Sequence, residues 1–165
     1  MKKKSFRFRY GFVFIELIVV ASIIATLLGI VYVRSTDIER RAPLTSSVDT
    51  VIADLGGQQT KAMVGESNGS GIVANYGIHF ETNTYSLFTG ASFNSADTTN
   101  AVFTLPTNIT VNHTTLLNNT VNFAKGSGEV AGYTEGANTV TLRQGLSAEE
   151  KTITINRYGI VWQVQ

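Results

Sequence analysis

Hydrophobic residues follow three distinct patterns along the chain. In residues 12–33 they form an almost unbroken run of 22 residues, in which Glu16 is the only charged side chain. At a rise of 1.5 Å per residue, such a helix is about 33 Å long, which is enough to cross a bilayer. The first pattern therefore predicts a transmembrane helix over residues 12–33.

The second pattern has helical spacing and begins after a polar stretch that ends in Pro43. Proline lacks a backbone N–H, so Pro43 predicts a joint at which the helix bends or locally unwinds. Beyond the joint, one helix face carries the apolar residues Leu44, Val48, Val51, Ile52, Leu55, Ala62 and Met63. The adjacent Gly56 and Gly57 leave a loop open as an alternative, and Gly65 is a natural C-terminal stop. Residues 34–65 are thus predicted to form an amphipathic helix that packs on a globular head.

The third pattern consists of short runs of alternating apolar and polar residues after Gly65. The predicted strands are residues 72–80, 84–88, 101–105, 108–112, 120–123, 139–142, 152–156 and 158–164. A turn at 81–83 joins the first two strands into a hairpin in which Tyr76, Ile78 and Phe80 share one face. Residues 66–165 are therefore expected to form a meander of about eight strands. The predicted fold is α+β, with the long helix packed on an antiparallel β-sandwich-like head.

Charge is distributed unevenly along the chain. The formal net charge is +1, but the first eleven residues hold five basic side chains and no acidic one. The eight basic and twelve acidic residues that follow sum to −4. By the positive-inside rule, the N-terminus is expected to stay in the cytoplasm and the rest of the chain to lie on the other side of the membrane. A nucleic-acid binder that acts through overall positive charge is disfavoured.

Glu16 is unusual because it lies inside the apolar run. An unpaired acid at the centre of a bilayer costs about 2.5–3.5 kcal/mol, and less near the edge, so this residue requires a partner. A plain membrane anchor does not explain it. A removable signal peptide has a shorter apolar region and an A-x-A-like cleavage site, which is not found after this run.

Residues 2–33 resemble the leader and N-terminal helix of type IV prepilins, a family of pilins and of pseudopilins from secretion and competence systems. The resemblance rests on a basic leader that ends in Gly11, on Phe12 directly after it, and on Glu16 at the fifth mature position. It implies that a prepilin peptidase removes residues 1–11 and N-methylates Phe12. It also implies that Glu16 pairs with the N-terminal amine of a neighbouring subunit as the helices enter a filament core.

The head contains segments that resemble one branch of this family. The segments YGIHF, YSLF, NFAKGSGEV and ITINRYGIV are similar to H-type minor pseudopilins and FimT-like minor pilins. The resemblance implies a structural subunit, not an enzyme and without a cofactor, in a type II secretion or type IV pilus-like filament for protein secretion. Its expected partners are the peptidase, other pilins or pseudopilins in a hetero-oligomeric filament, and an inner-membrane assembly platform. Two alternatives remain open: a DNA-uptake minor pilin and the major pilin of an extended filament.

Candidate catalytic and metal-binding residues give weak signals. Residues 65–69 match G-x-S-x-G, but a helix is expected before the serine and a strand after it, the reverse of a nucleophile elbow. His79 is predicted to face solvent, and His79 and His113 lack the spacing of zinc ligands. The acidic residues considered for calcium are Glu129, Glu135, Glu149 and Glu150, and no EF-hand spacing links them. No metal site is predicted.

Nucleic-acid binding by the head requires its few basic residues to cluster. From Glu66 onward there are four basic residues against seven acidic ones. The DNA-uptake alternative therefore depends on whether Arg143, Lys151 and Arg157 converge in the folded head. Tyr158 and Trp162 are able to stack on bases, but their position near the last strand favours the core.

The predicted processing is testable by intact mass. We expect the membrane-extracted protein to lose residues 1–11 and gain one methyl group when it is expressed with a prepilin peptidase, and to remain a full-length precursor without the peptidase. An unchanged precursor, or cleavage at another bond, would contradict the assignment of Phe12 as the mature N-terminus.

Overall fold

A computed structural model describes residues 10–67 and 71–165, without the side chains of residues 10–13, 29–42 and 162. The chain divides into two compact units, Met1–Glu39 and Arg40–Gln165, and each is described by itself. One α-helix, α1, is assigned over Tyr10–Val64. The eight strands are β1 (Tyr76–Phe80), β2 (Thr84–Thr89), β3 (Ala101–Thr104), β4 (Ile109–Thr114), β5 (Thr120–Phe123), β6 (Thr139–Gln144), β7 (Glu150–Ile155) and β8 (Val161–Val164), with a 3₁₀ turn at Leu117–Asn119.

Helix α1 is not interrupted at Pro43 or at the glycine pair, so neither the unwinding at the proline nor the alternative loop is present. Gly56 and Gly57 are both exposed, and the neighbouring Leu55 and Gln58 are buried, which keeps this turn helical by packing its inner side. Within the residues that the structure describes, no helix is both long enough and apolar enough to cross a membrane.

The C-terminus of α1 is closed by hydrogen bonds around Gly65. The Gly65 N–H donates to the Ala62 carbonyl (3.3 Å), and the Glu66 N–H donates to the Lys61 carbonyl (3.1 Å). This pair of bonds is a Schellman motif, which requires a left-handed residue after the helix. Gly65 has a φ of 70°, a conformation that is strained for other residues. The helix therefore ends at the predicted position.

The strands form two antiparallel four-stranded sheets, which confirms the α+β class with an antiparallel head. Sheet A has the order β3-β2-β1-β5, and sheet B has the order β4-β6-β7-β8. The predicted hairpin is present, with Ile78 opposite Leu87 and Phe80 opposite Tyr85. The single meander is wrong, because β4 lies in sheet B and β5 returns to sheet A beside β1, with Tyr76 opposite Phe123.

One hydrophobic core joins α1 to both sheets. The inner face of α1 contributes Leu44, Val48, Val51, Leu55 and Ala62, each at most 1% exposed. Sheet A contributes Tyr76, Ile78, Phe80, Tyr85, Val121 and Phe123, and sheet B contributes Ile109, Val140, Leu142, Ile153 and Ile155. The helical spacing therefore identifies the packed face correctly except at Met63, which is 53% exposed.

Three side chains of α1 make four hydrogen bonds that fix the position of the helix against the head. The Gln58 side-chain amide donates to the Gly77 carbonyl in β1 (3.0 Å), and the Tyr85 hydroxyl donates to the Asp54 carboxylate (2.6 Å). Burial, followed by the bond to Asp54, raises the pKa of Tyr85 above its ordinary value. The Gln59 amide donates to the carbonyls of Gly128 and Tyr158, so one helical residue fastens two turns. These turns belong to the segments NFAKGSGEV and ITINRYGIV.

The turn at Gly159 packs too closely against Gln59 to accept a side chain. A Cβ at this position would lie 2.5 Å from the Gln59 amide nitrogen, 2.8 Å from the Phe123 ring and 2.9 Å from the Gly128 carbonyl oxygen. Gly136 has a similar positive φ of 83°, but a Cβ there would meet nothing within 4 Å. Alanine substitutions at the two glycines therefore allow the energetic cost of backbone strain to be distinguished from the cost of steric crowding.

We expect Gly136→Ala to lower the free energy of unfolding by about 1–2 kcal/mol, because it carries only the left-handed strain. Gly159→Ala should lower the free energy of unfolding by about 1–3 kcal/mol more than Gly136→Ala, because the methyl group also displaces packed atoms. Chemical denaturation of the detergent-extracted full chain measures both values. Equal losses for the two variants would contradict the close packing of the Gly159 turn against α1.

Candidate functional site

The described side chains of the first unit form an exposed apolar helix with one carboxylate. Every residue from 14 to 28 is exposed. The ten large apolar side chains are Phe14, Ile15, Leu17, Ile18, Val19, Val20, Ile23, Ile24, Leu27 and Leu28, each at least 50% exposed. Burying this set is worth on the order of 10 kcal/mol, if half of each side chain is removed from water. A helix that is apolar on all sides requires lipid or other helices around it.

Glu16 lies in the first turns of this helix, and its side chain is exposed. Any surroundings that bury its apolar neighbours also remove water from the carboxylate. The desolvation is offset only when a cation or several hydrogen-bond donors face the carboxylate. The arrangement can therefore bind a positively charged group that approaches together with an apolar surface.

The predicted processing site is only partly described. Residues 1–9 of the leader lie outside the described residues, whereas Gly11 and Phe12 have helical backbone at the start of α1. The side chain of Phe12 also lies outside the description. The roles of Gly11, Phe12 and Glu16 stay predictions.

His79 is not solvent-facing as predicted. Its ring stacks on Phe93 with centroids 4.0 Å apart, and its side chain is 17% exposed. His79 Nδ1 and the Thr120 hydroxyl oxygen are hydrogen-bonded (3.0 Å), and the Thr120 hydroxyl also donates to the Asn118 carbonyl. The sequence prediction failed because a loop residue, Phe93, covers the outer face of sheet A at this point.

The basic residues of the head do not converge. Arg143 lies opposite Glu150, and Lys151 lies opposite Leu142, a core residue. Because opposed residues share a face and successive residues alternate, Arg143 and Lys151 are on opposite faces of sheet B. Arg157 follows the other end of β7.

Each of these three basic groups also has a local partner. Arg143 lies 3.7 Å from the Glu150 carboxylate, and Arg157 lies 3.8 Å from that of Glu129. The Lys151 ammonium donates to the Thr45 hydroxyl (3.1 Å). The geometry therefore gives no basic surface built from the three residues.

The other sequence candidates are not brought together. Within the described ranges, no group of three or more potential metal ligands is found. Ser67 follows α1, and the next strand begins at Tyr76, so the order needed for a nucleophile elbow is reversed; Asn68 and Gly69 lie outside the described residues. Tyr158 is 62% exposed, contrary to the predicted core position, and the Trp162 side chain lies outside the description.

Sequence reasoning missed the buried Gln58 and the aromatic cover at Phe93. Gln58 is 3% exposed and continues the helical spacing of Leu55 and Ala62. Its position therefore indicated burial, although glutamine is not a typical core residue. Phe93 lies in the long segment between β2 and β3, where no periodic pattern indicates burial.

No protein-family model, curated protein or solved structure matches this chain.

We expect acid to destabilise the head through His79. Burial lowers the pKa of His79 below its ordinary 6.5, outweighing Glu81 and the Asn118 carbonyl, which raise the pKa. The unfolded chain then takes up the proton more readily, so the free energy of unfolding should fall as the pH decreases from neutral through 6.5. Denaturation curves between pH 7 and about 5.5 should show this fall in the wild type and much less of it in His79→Gln. A wild-type stability that rises over this interval would contradict the buried neutral imidazole.

Proposed function

We propose that the chain is a structural minor pseudopilin or pilin-like subunit that assembles through its N-terminal helix. The observation that carries this proposal is the exposed apolar surface of residues 14–28 with Glu16 as its one charged side chain. A surface of this extent is costly in water and is expected to be covered by lipid or by neighbouring helices. A filament of packed helices provides such a cover.

The chemistry at Glu16 supports assembly with a specific register. In the proposed filament, the carboxylate pairs with the N-terminal amine of a neighbouring Phe12, exposed when a prepilin peptidase cleaves after Gly11. A neighbouring helix in the wrong register would bury Glu16 without its cation, which is strongly unfavourable. The pair thus selects one axial position among several that bury similar apolar area.

Before assembly, the precursor is proposed to lie in the inner membrane, with its N-terminus in the cytoplasm and its head in the periplasm or outside the cell. This part rests on the sequence, namely the 22-residue apolar run of residues 12–33 and the five basic residues before it. An inner-membrane assembly platform and other pilins or pseudopilins would then receive the processed subunit.

The head is proposed to be a type IV pilin-like domain that makes lateral contacts within the filament. The support is the packing of α1 on an antiparallel head and the attachment of both glycine-containing turns to Gln59. We assign the filament to protein secretion, following the resemblance of these turns to H-type minor pseudopilins. The separated basic residues do not favour the DNA-uptake alternative.

Neutralising Glu16 tests the proposal. We expect Glu16→Gln and Glu16→Ala to be cleaved and methylated normally but to be strongly depleted from sheared filaments, because the charge that sets the register is lost. Intact mass measures processing, and quantitative immunoblotting of sheared fractions measures incorporation. Asp49→Asn, at an exposed carboxylate later in the same helix, is the matched control and should assemble normally.

Wild-type incorporation of Glu16→Gln would contradict the pairing role. A high copy number of the wild-type chain along sheared filaments would contradict the minor-subunit assignment and favour a major pilin.

A further inference from the structure

The outer side of sheet A contains a cavity that the proposed assembly does not use. Its volume is about 430 Å³, within the range of small-ligand sites. Its wall combines residues of β1 and β5 with three loops, and includes His79, Phe93, Leu116, Asn122, Val130 and Tyr133. These residues are distant in sequence, so the cavity is a product of the tertiary structure.

None of the described residues that line this cavity carries a formal charge while His79 is neutral. An anionic ligand such as a phosphate, nucleotide or carboxylate would lose its hydration on entering the cavity, and no cation in the wall would compensate for this loss. The wall instead offers hydroxyl groups of serine, threonine and tyrosine, side-chain amides and apolar surface. This composition selects a neutral ligand that has both hydrogen-bonding groups and an apolar face.

Asn122 holds the backbone at Gly90 and Ala91 against the cavity wall. Its side-chain nitrogen donates to the carbonyls of Gly90 (3.1 Å) and Ala91 (2.7 Å), which fixes the orientation of the amide. Asn122 is 8% exposed, and its side-chain oxygen has no hydrogen-bond partner among the described residues. This oxygen is itself inaccessible, so Asn122 shapes the wall, and the polar groups that can reach a ligand are exposed hydroxyls such as those of Ser92 and Thr134.

The strand edge beside the cavity is already occupied, which disfavours an extended peptide as the ligand. Peptides commonly bind by adding a strand to a sheet edge. Here β5 is the edge of sheet A, but the Ala131 N–H donates to the Asn122 carbonyl (2.7 Å), and Phe123 pairs with Val130. A compact ligand does not need this edge.

We propose that this cavity binds a neutral carbohydrate unit. Sugar hydroxyl or N-acetyl groups hydrogen-bond to exposed hydroxyls of the wall such as those of Ser92 and Thr134, and the C–H face of the ring packs against the aromatic and aliphatic wall that includes Phe93 and Tyr133. The threonine and serine hydroxyls both donate and accept, which matches the hydroxyl groups of a sugar. The site gives the head a recognition function separate from the helix-mediated assembly.

The test is titration of the full-length protein in detergent with two neutral disaccharides, N,N′-diacetylchitobiose and cellobiose. Ligand-observed NMR should show saturable binding of at least one of them, with a dissociation constant in the millimolar range or tighter. Permethylated cellobiose, which keeps the ring faces but lacks O–H donors, should bind at least about tenfold more weakly than cellobiose if cellobiose binds.

Two tryptophan variants locate the binding. Ala131 is an exposed residue of the cavity wall, so Ala131→Trp should block the site and weaken binding by about tenfold or more without altering the core. Ala96→Trp, at an exposed position outside the wall, should bind like the wild type. Saturation by neither disaccharide, or binding unaffected by Ala131→Trp, would overturn the proposal. Because the readout is binding and not assembly, these results are independent of the Glu16 experiment.

Discussion

The head depends on the burial of one stripe of α1 against two sheets. Leu44, Val48, Val51, Leu55 and Ala62 lie in the same core as the inner faces of sheets A and B. Removing this stripe from the core would expose apolar surface on all three elements, so none of them retains its packing independently of the others. Hydrogen bonds of Gln58, Gln59 and the Tyr85–Asp54 pair then fix the helix at one position, most strongly at Gln58, whose bond to the Gly77 carbonyl is buried.

The two described parts of α1 differ in the exposure of their apolar side chains. The later part has its apolar residues in the core, whereas the side chains of residues 14–28 are exposed and almost entirely apolar. Intrinsic helix propensity does not explain this contrast; what differs is whether the same chain provides the packing surface. An exposed apolar helix of this extent is costly in water, and the assembly proposed above would cover it.

Three basic residues of the head have local partners and do not form a common basic surface. Arg143 and Arg157 each lie near a glutamate, and Lys151 reaches back to α1. His79 is stacked and neutral beside an uncharged cavity. The proposed ligand site therefore relies on shape, hydroxyl groups and aromatic surface and not on long-range electrostatic attraction.

The sequence by itself determined the local features: the packed face of α1, its end at Gly65, eight strand segments and the β1–β2 hairpin. These depend on periodicity, on glycine conformation and on short turns, all of which act within a few residues. Only the tertiary structure decided that β5 pairs with β1, that Phe93 covers His79, and that Arg143 and Lys151 lie on opposite faces. These outcomes depend on strand register and loop packing between distant residues, for which the sequence pattern carries no local signal.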